Sequence, residues 1–418
     1  MKLDIAHGCS LPPVNAQFSA NAPVPDQVFD KIIAGGGLAA IFTAYEILKQ
    51  AKDARKKISV LVVAEEISAP CSAGSQMVPV AEGTFYEKAE NSVETSAAMR
   101  EAYTALKLTI RRVSCRHTPG YEIKAMTKDE LDHAVTGMTS RGIFKTDEIL
   151  PNSRNQIFNL PGHNHSVLIN SFAGQVNMPE LLDGLVANIR EMGGRIEQAR
   201  YQSHAANGNG FTAQTNKGLF HSRTPPLIAT GAKHHKAFFD FRNIECNVIH
   251  TMALVLGSLS VADAWAIAKR SMAMTDAILT GDFLWGGIDD KFYFTFGRGD
   301  TDDTSPENIK RIYADITGQI ENFYPGIIEK YPPRVFFGPM LVPKNRMPIV
   351  GRMPECDVAG GWSGMGVVAG YAAALAFADW VVHGRDQKLK FFESFHPGKF
   401  AMPEQIETPA EPPARLIA

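Results

Sequence analysis

An α/β fold, with parallel strands joined through helices, is the class this sequence predicts, and three observations predict it. The apolar run Ile32-Ile33-Ala34 feeds the glycine turn Gly35-Gly36-Gly37, and the residues after it read as a helix. A second apolar run from Ile58 to Ala64 follows that helix and ends at Glu65-Glu66. Further along, the short strand Pro226 to Ala229 runs into another glycine turn, Thr230-Gly231.

Strand, turn and helix in that order suit a dinucleotide-binding βαβ unit. Gly35 permits the tight turn, and Gly37 lets the backbone approach a pyrophosphate. Ala40 takes the third position, where a small residue allows close helix–strand packing. The helix start, Leu38-Ala39-Ala40, offers unpaired N–H groups to phosphates. Glu65, with Glu66 beside it, stands where an acidic residue takes the ribose hydroxyls. It lies 28 residues beyond Gly37, against a usual ~20. The polar stretch Lys49 to Lys57 absorbs the excess as helix extension plus loop. Taken alone, this motif fits NAD(P) as well as a flavin dinucleotide.

The 418 residues suffice for two or three domain-sized units, and 45% hydrophobic with 21% charged content is ordinary for a globular chain. A net charge of −2 gives no electrostatic reason to expect nucleic acid or an anionic membrane as partner. Cys9, Cys71, Cys115, Cys246 and Cys356 are scattered, with no C-x-x-C pair. That pattern argues against a disulfide scaffold or a zinc site and fits a reducing cytoplasm. Met1 to Asp30 lacks the apolar stretch of a signal peptide, so a cytoplasmic location is expected. Leu11 to Pro25, rich in Asn, Pro and Ala, reads as an extended arm. Gly360 to Val382 is long enough to span a membrane. Its Ala/Gly content and leading glycine turn favour a buried helix packed on a sheet.

Between these landmarks, Glu87 to Lys107 reads as a helix and Thr109 to Phe172 as short strands with turns. Met178 to Gly193 is an amphipathic helix with Pro179 near its start and glycine at its end. One strand from Arg195 to His204 is expected next, then a turn at Asn207 to Gly210. Phe283 to Phe296 reads as a hairpin, and Pro306 to Phe323 as a helix. Pro348-Ile349-Val350-Gly351 and Gly361-Trp362-Ser363-Gly364-Met365-Gly366 precede the last long helix. Met402 to Ala418 reads as a loose tail.

Together these segments resemble the FAD-dependent D-amino-acid oxidase/glycine oxidase/sarcosine oxidase superfamily. The resemblance runs from about Phe29 to Phe400. It rests on Gly35 to Ala40 with Glu65, the small-residue run Ser72 to Met77, the helix Met178 to Gly193, Ala229-Thr230-Gly231, Pro348 to Gly351, Gly361 to Val367, and the closing Phe391 to Phe400. It implies a Rossmann-type FAD-binding domain, of the glutathione-reductase/p-hydroxybenzoate-hydroxylase kind, interleaved with an α+β substrate domain holding a mixed antiparallel sheet. Residues 28–83, 175–235 and 338–400 would form the first, and 84–174 with 236–337 the second, flanked by the arm 1–27 and the tail 401–418.

The resemblance also implies site residues. Gly35 to Ala40 would hold the FAD pyrophosphate, and Glu65 and Glu66 the ribose. Ser72, Ala73, Gly74, Ser75, Gln76 and Met77 would run beside the phosphates and the isoalloxazine ring. Thr230 and Gly231 would close the nucleotide site. Gly364, Met365, Gly366 and Val367 would set a helix N-terminus against the flavin N1/C2=O edge, where negative charge gathers on reduction. The implied reaction is hydride transfer from an amine or amino acid to flavin N5. The imine would then hydrolyse, and oxygen or another acceptor would reoxidise the flavin.

Departures from the family pattern bear on the substrate. Where glycine-oxidase-like members carry a carboxylate-binding arginine, this chain has Met340, and at a second such position it has Gly364. Both usual places for a bidentate clamp lack one, so an amine without that carboxylate is expected. No cysteine lies between Pro339 and Arg346, which implies non-covalent FAD. Lys291, after Asp289-Asp290, reads as a solvated turn lysine; the resemblance adds a second reading, a lysine that activates oxygen. Trp285 and Trp362 either wall the active site or pack in the core. His234-His235, flanked by lysines, reads as a surface pair or a substrate-facing one. His163 and His165 are not at metal-ligand spacing, and no metal site is expected. Two other readings stand beside amine oxidation: FAD-dependent dehydrogenation of a 2-hydroxy acid or similar alcohol, and a flavin-binding protein with a degenerate site.

Overall fold

The computed structural model describes residues 5–7, 27–67, 76–77, 92–115, 117–126, 149–150, 165–176, 178–208, 210–232, 244–260, 262–263, 280–284, 292–297, 301–364, 366–396 and 398–400. Its centre is a six-stranded sheet. In order across it stand Ile349–Arg352, Asp357–Gly360, Leu227–Ile228, Lys31–Ala34, Val60–Ala64 and Arg195–Gln198. The last five run parallel, and only the hairpin partner Ile349–Arg352 is antiparallel. Lys31–Ala34 and Val60–Ala64 are buried along their whole length, as strands covered on both faces must be.

Alternation along the strands separates two cores. Ile33, Val60, Val62, Ile196 and Leu227 face a helical layer made of Leu38–Asp53, Met178–Glu191 and Gly366–His383. Ile32, Ala34, Leu61, Val63 and Ile228 face the opposite way, onto Tyr201, Ala213 and Phe220 of a four-stranded sheet. That sheet runs Tyr201–Asn207, Gly210–Thr215, Gly218–Ser222 and Val28–Phe29. Each isoleucine or leucine so enclosed contributes about 1.5–3 kcal/mol of burial. Gly366–His383 is apolar enough to cross a membrane, yet 67% of the stretch is buried among the chain's own side chains. It is the packed core helix its Ala/Gly content predicts.

A third, five-stranded sheet lies in the order Ile5–His7, Arg334–Pro343, Cys246–Leu259, Phe292–Gly297 and Thr280–Leu284. The helix Pro306–Phe323 covers one face, with Ile309, Ile312, Ile316 and Ile320 against Met252, Leu254, Leu256 and Phe337. Ser305 caps this helix through its side chain, and Pro306 follows at the first helical position. A fourth sheet pairs His117–Met126 with His165–Val176, and Gln76–Met77 joins its edge.

Three expectations need correction. Arg195 to His204 is not one strand: Arg195–Gln198 belongs to the six-stranded sheet and Tyr201–Asn207 to the four-stranded one, with the chain changing sheets at Ala199-Arg200. The helix expected to end at Lys107 continues to Arg112. Thr109 bonds Tyr371 at 2.7 Å and Ile110 lies in the helical core, so those residues face a partner helix. The N-terminal segment also enters the fold, because Ile5–His7 pairs in parallel with Val335 to Phe337. The expected Leu11 to Pro25 arm and Met402 to Ala418 tail lie outside the described residues.

Candidate functional site

Lys31–Ala34 is where the sheet's connections diverge: the chain leaves it through Leu38–Asp53 to reach Val60–Ala64 on one side, while Leu227–Ile228 flanks it on the other. Such a switch point leaves a crevice beyond the carboxyl ends of the strands. Two turns meet there. Gly35 has φ +132°, and a Cβ on it would lie 2.3 Å from the Ala229 carbonyl oxygen. The contact is extended by the Ala229 N–H, which donates to Ala34 O at 2.8 Å. A side chain at residue 35 would therefore separate the two turns.

Gly36 is equally constrained, and its role was missed when the glycines were weighed singly. A Cβ there would stand 1.8 Å from the Glu66 carbonyl oxygen. The run of three glycines was the available signal. Gly37 differs: among the described residues nothing lies within 4 Å of its Cβ position, so no described neighbour blocks the approach of a ligand to its backbone. It caps Leu38–Asp53 without a side-chain hydrogen bond, and no acidic residue occupies the first turn. The first N–H groups of that helix thus keep their capacity for an anion. Ala40 is fully buried, as close packing requires.

Thr230 supplies the second polar element. Its Oγ1 is buried with no hydrogen-bond partner among the described residues. A buried hydroxyl orphaned in a crevice is a group that a bound ligand or water can complete. Gly231 beside it, at φ +71°, borders open space.

The third element comes from Gly361 to Gly366. Gly361, Ser363 and Gly364 all have positive φ, so the chain coils tightly before Gly366–His383 begins. Ser363 Oγ donates to Arg346 O at 3.1 Å and fixes this turn. The first turn of the following helix also holds no acidic residue, and Val367 is buried. Gly370 and Ala39 approach so closely that a Cβ on Gly370 would lie 3.7 Å from the Ala39 Cβ. Since both residues sit near the starts of their helices, the two N-termini open on the same side. Trp362 packs its ring 3.3 Å from the Cβ position of Gly366 and against the helical core.

Met340 and Gly364, far apart in sequence, are neighbours. The Met340 Sδ lies 3.4 Å from the Cβ position of Gly364, the sole atom of the described residues within 4 Å of it. Met340 pairs with Ile249 across the five-stranded sheet. It is half-buried and points away from the face that Phe337 and Met252 present to the helix Pro306–Phe323.

Glu65 stands exposed just beyond Val60–Ala64, with Glu66 next to it. Its carboxylate lies 3.7 Å from Arg200 Nε, and its carbonyl accepts from Gln198 Nε2 at 3.3 Å. Gln198 and Arg200 were not anticipated, because the expected single strand hid the sheet change that brings them here. Gln76 and Met77 sit in the short strand opposite Gln175 and Gly174. Ser72, Ala73, Gly74, Ser75, Met365, Trp285, Lys291, His163, His234 and His235 lie outside the described residues.

The family's sequence model, described as FAD dependent oxidoreductase (DAO), matches residues 30–380. The chain belongs to the DAO family of FAD-dependent oxidoreductases. The DAO fold is equally plain in solved structures. Glycine oxidase from Geobacillus kaustophilus superposes with a TM-score of 0.65 at 16% identity, covering 84% of this chain and 94% of that one. L-proline dehydrogenase from P. horikoshii gives 0.64 at 13%, with 88% and 99% covered. Iminodiacetate oxidase from Chelativorans sp. BNC1 gives 0.63 at 15%, with 85% and 95% covered. No curated protein sequence matches. The crevice fits the family's cofactor: two helix starts with no acidic residue in their first turns suit a diphosphate and an electron-rich ring edge, and the buried Thr230 hydroxyl has no partner among the described residues.

Proposed function

We propose that this DAO-family oxidoreductase oxidises the C–N bond of an amine whose end at Met340 and Gly364 bears no carboxylate. One observation carries the reading: the two positions from which the resemblance would expect an arginine clamp adjoin each other and hold a thioether and a glycine. A charge-assisted hydrogen bond is worth about 1.5–3 kcal/mol, or about 10–150-fold in affinity. Its absence disfavours a simple amino acid to that extent. The neighbouring Ile249 and the Trp362 ring add apolar surface. Similar structures are named for glycine, L-proline and iminodiacetate, which supports nitrogen-bearing substrates over hydroxy acids.

FAD, when bound, supplies the acceptor for the substrate's hydride. The chain's own residues bind and orient. Leu38 to Ala40 and Thr230 would hold the pyrophosphate end, Glu65 the ribose, and Gly366-Val367 the flavin edge. With no cysteine between residues 339 and 346, the cofactor would be held without a covalent bond.

The test is anaerobic flavin bleaching with primary and secondary amines, N-methyl amino acids, simple amino acids and 2-hydroxy acids. Neutral-ended amines should bleach fastest. Met340→Arg should move preference toward the carboxylate-bearing members by about tenfold or more. Bleaching by hydroxy acids alone would overturn the reading.

A further inference from the structure

Glu65 is pinned from three sides. Gly36 abuts the Glu66 carbonyl, so the chain beyond Val60–Ala64 rests on the glycine turn. Gln198 Nε2 donates to Glu65 O, and the Ala199 N–H donates to Ala64 O at 2.9 Å, which carries the strand pairing to the edge of the crevice. Arg200 Nε then faces a Glu65 carboxylate oxygen at 3.7 Å. The Arg200 backbone is itself fixed: its N–H donates to Asn216 Oδ1 at 2.6 Å, and the Asn216 N–H returns a bond to Arg200 O at 3.1 Å.

We propose that Arg200 is a positioning residue for the adenosine half of the cofactor, aiming the Glu65 carboxylate at the ribose hydroxyls. The inference rests on the FAD reading above. At 3.7 Å the guanidinium attracts the carboxylate by charge without a direct hydrogen bond, so its oxygens remain free to accept from the sugar. Both side chains of the pair are about half exposed or more, at 60% and 51%, so the contribution is modest and falls with salt.

The experiment is titration of the full-length apoprotein with FAD, ADP and FMN, following flavin fluorescence or heat, for the wild type, Arg200→Gln, Glu65→Gln and the double variant. Arg200→Gln should weaken FAD and ADP by the same factor, about threefold, and leave FMN unchanged. In the Glu65→Gln background it should have no further effect. Unchanged FAD affinity, equal losses for FAD and FMN, or additive losses in the double variant would each overturn the proposal. Failure of the wild type to bind FAD at all would instead remove the cofactor reading on which it rests.

Discussion

Lys31→Met tests whether the central sheet depends on a fully buried ion pair. Lys31 opens the strand that ends at the glycine turn, yet its side chain is completely enclosed. It pairs with Asp357, also fully enclosed, and donates to the Pro225 carbonyl. The Trp380 ring lies 5.4 Å from Lys31 Nζ and 5.5 Å from the Arg352 guanidinium carbon. Asp357 Oδ1 has no partner among the described residues, so Lys31 carries most of the compensation for that charge. Removing one member of a buried pair costs about 3–5 kcal/mol, whereas replacing both with apolar groups is often neutral or stabilising. With about 2.1 cal/mol/K of unfolding entropy per residue over 418 residues, Lys31→Met should lower the melting temperature by about 3–6 °C. Lys31→Met/Asp357→Leu should recover most of that. The penalty should also depend on pH. Burial raises the Asp357 pKa, and Lys31 opposes the rise. A carboxyl that binds its proton more tightly when folded loses stability as pH climbs from its unfolded value through its folded one. Without Lys31 that loss deepens, so the variant should be less impaired in mildly acid than in mildly alkaline buffer. Circular dichroism melts at both pH values decide it. A single variant within about 1 kcal/mol of wild type, or a double variant as unstable as the single, would refute the reasoning.

Two further outcomes follow from buried polar groups. Thr230→Val removes a hydroxyl that is unpartnered without cofactor, so the apoprotein should melt no lower than wild type while FAD affinity drops about 3–10-fold; fluorescence titration and melts of the same samples check both. His396 is buried with Nε2 3.1 Å from Pro348 O and 3.3 Å from Met347 O, and burial depresses its pKa while these carbonyls oppose the shift. A histidine held neutral on folding loses stability as pH falls through about 6.5. Acid should therefore loosen the closing segment, seen as faster amide exchange over Gln387–Glu393, and His396→Phe should flatten that acid limb.

The βαβ unit was legible because every level of the sequence agreed on it: a short apolar run, glycines, then a helical pattern. Pro306–Phe323 was legible for the same reason, with Ser305 and Pro306 marking its start. What escaped depended on partners distant in the chain. Ile5–His7 becomes a strand only because the edge of Arg334–Pro343 is open to it. Arg195 to His204 holds no Gly, Pro or Asn to mark a break, and nothing local says that it changes sheets at Ala199-Arg200. Lys31 reads as a polar strand opening until Asp357, 326 residues later, encloses it.

The site divides along the same line. Glycine announces itself because a backbone at φ +132° or pressed against a carbonyl tolerates little else. Gly35, Thr230-Gly231 and Gly364 could therefore be singled out before their neighbours were known. A contact between ordinary side chains carries no such mark. Met340 is an unremarkable methionine in a strand, and its meaning comes from lying against Gly364. That meeting requires two sheets to be brought together: the strand of Met340 belongs to the five-stranded sheet, while Gly364 introduces a helix packed on the six-stranded one. Leu341, next to Met340, packs with Ile349 and Val358 in the core beneath the six-stranded sheet. That anchor sets the height at which the methionine meets the turn. A change at Leu341 would thus reach the contact between Met340 and Gly364 without touching the turn, by moving the thioether over Gly364.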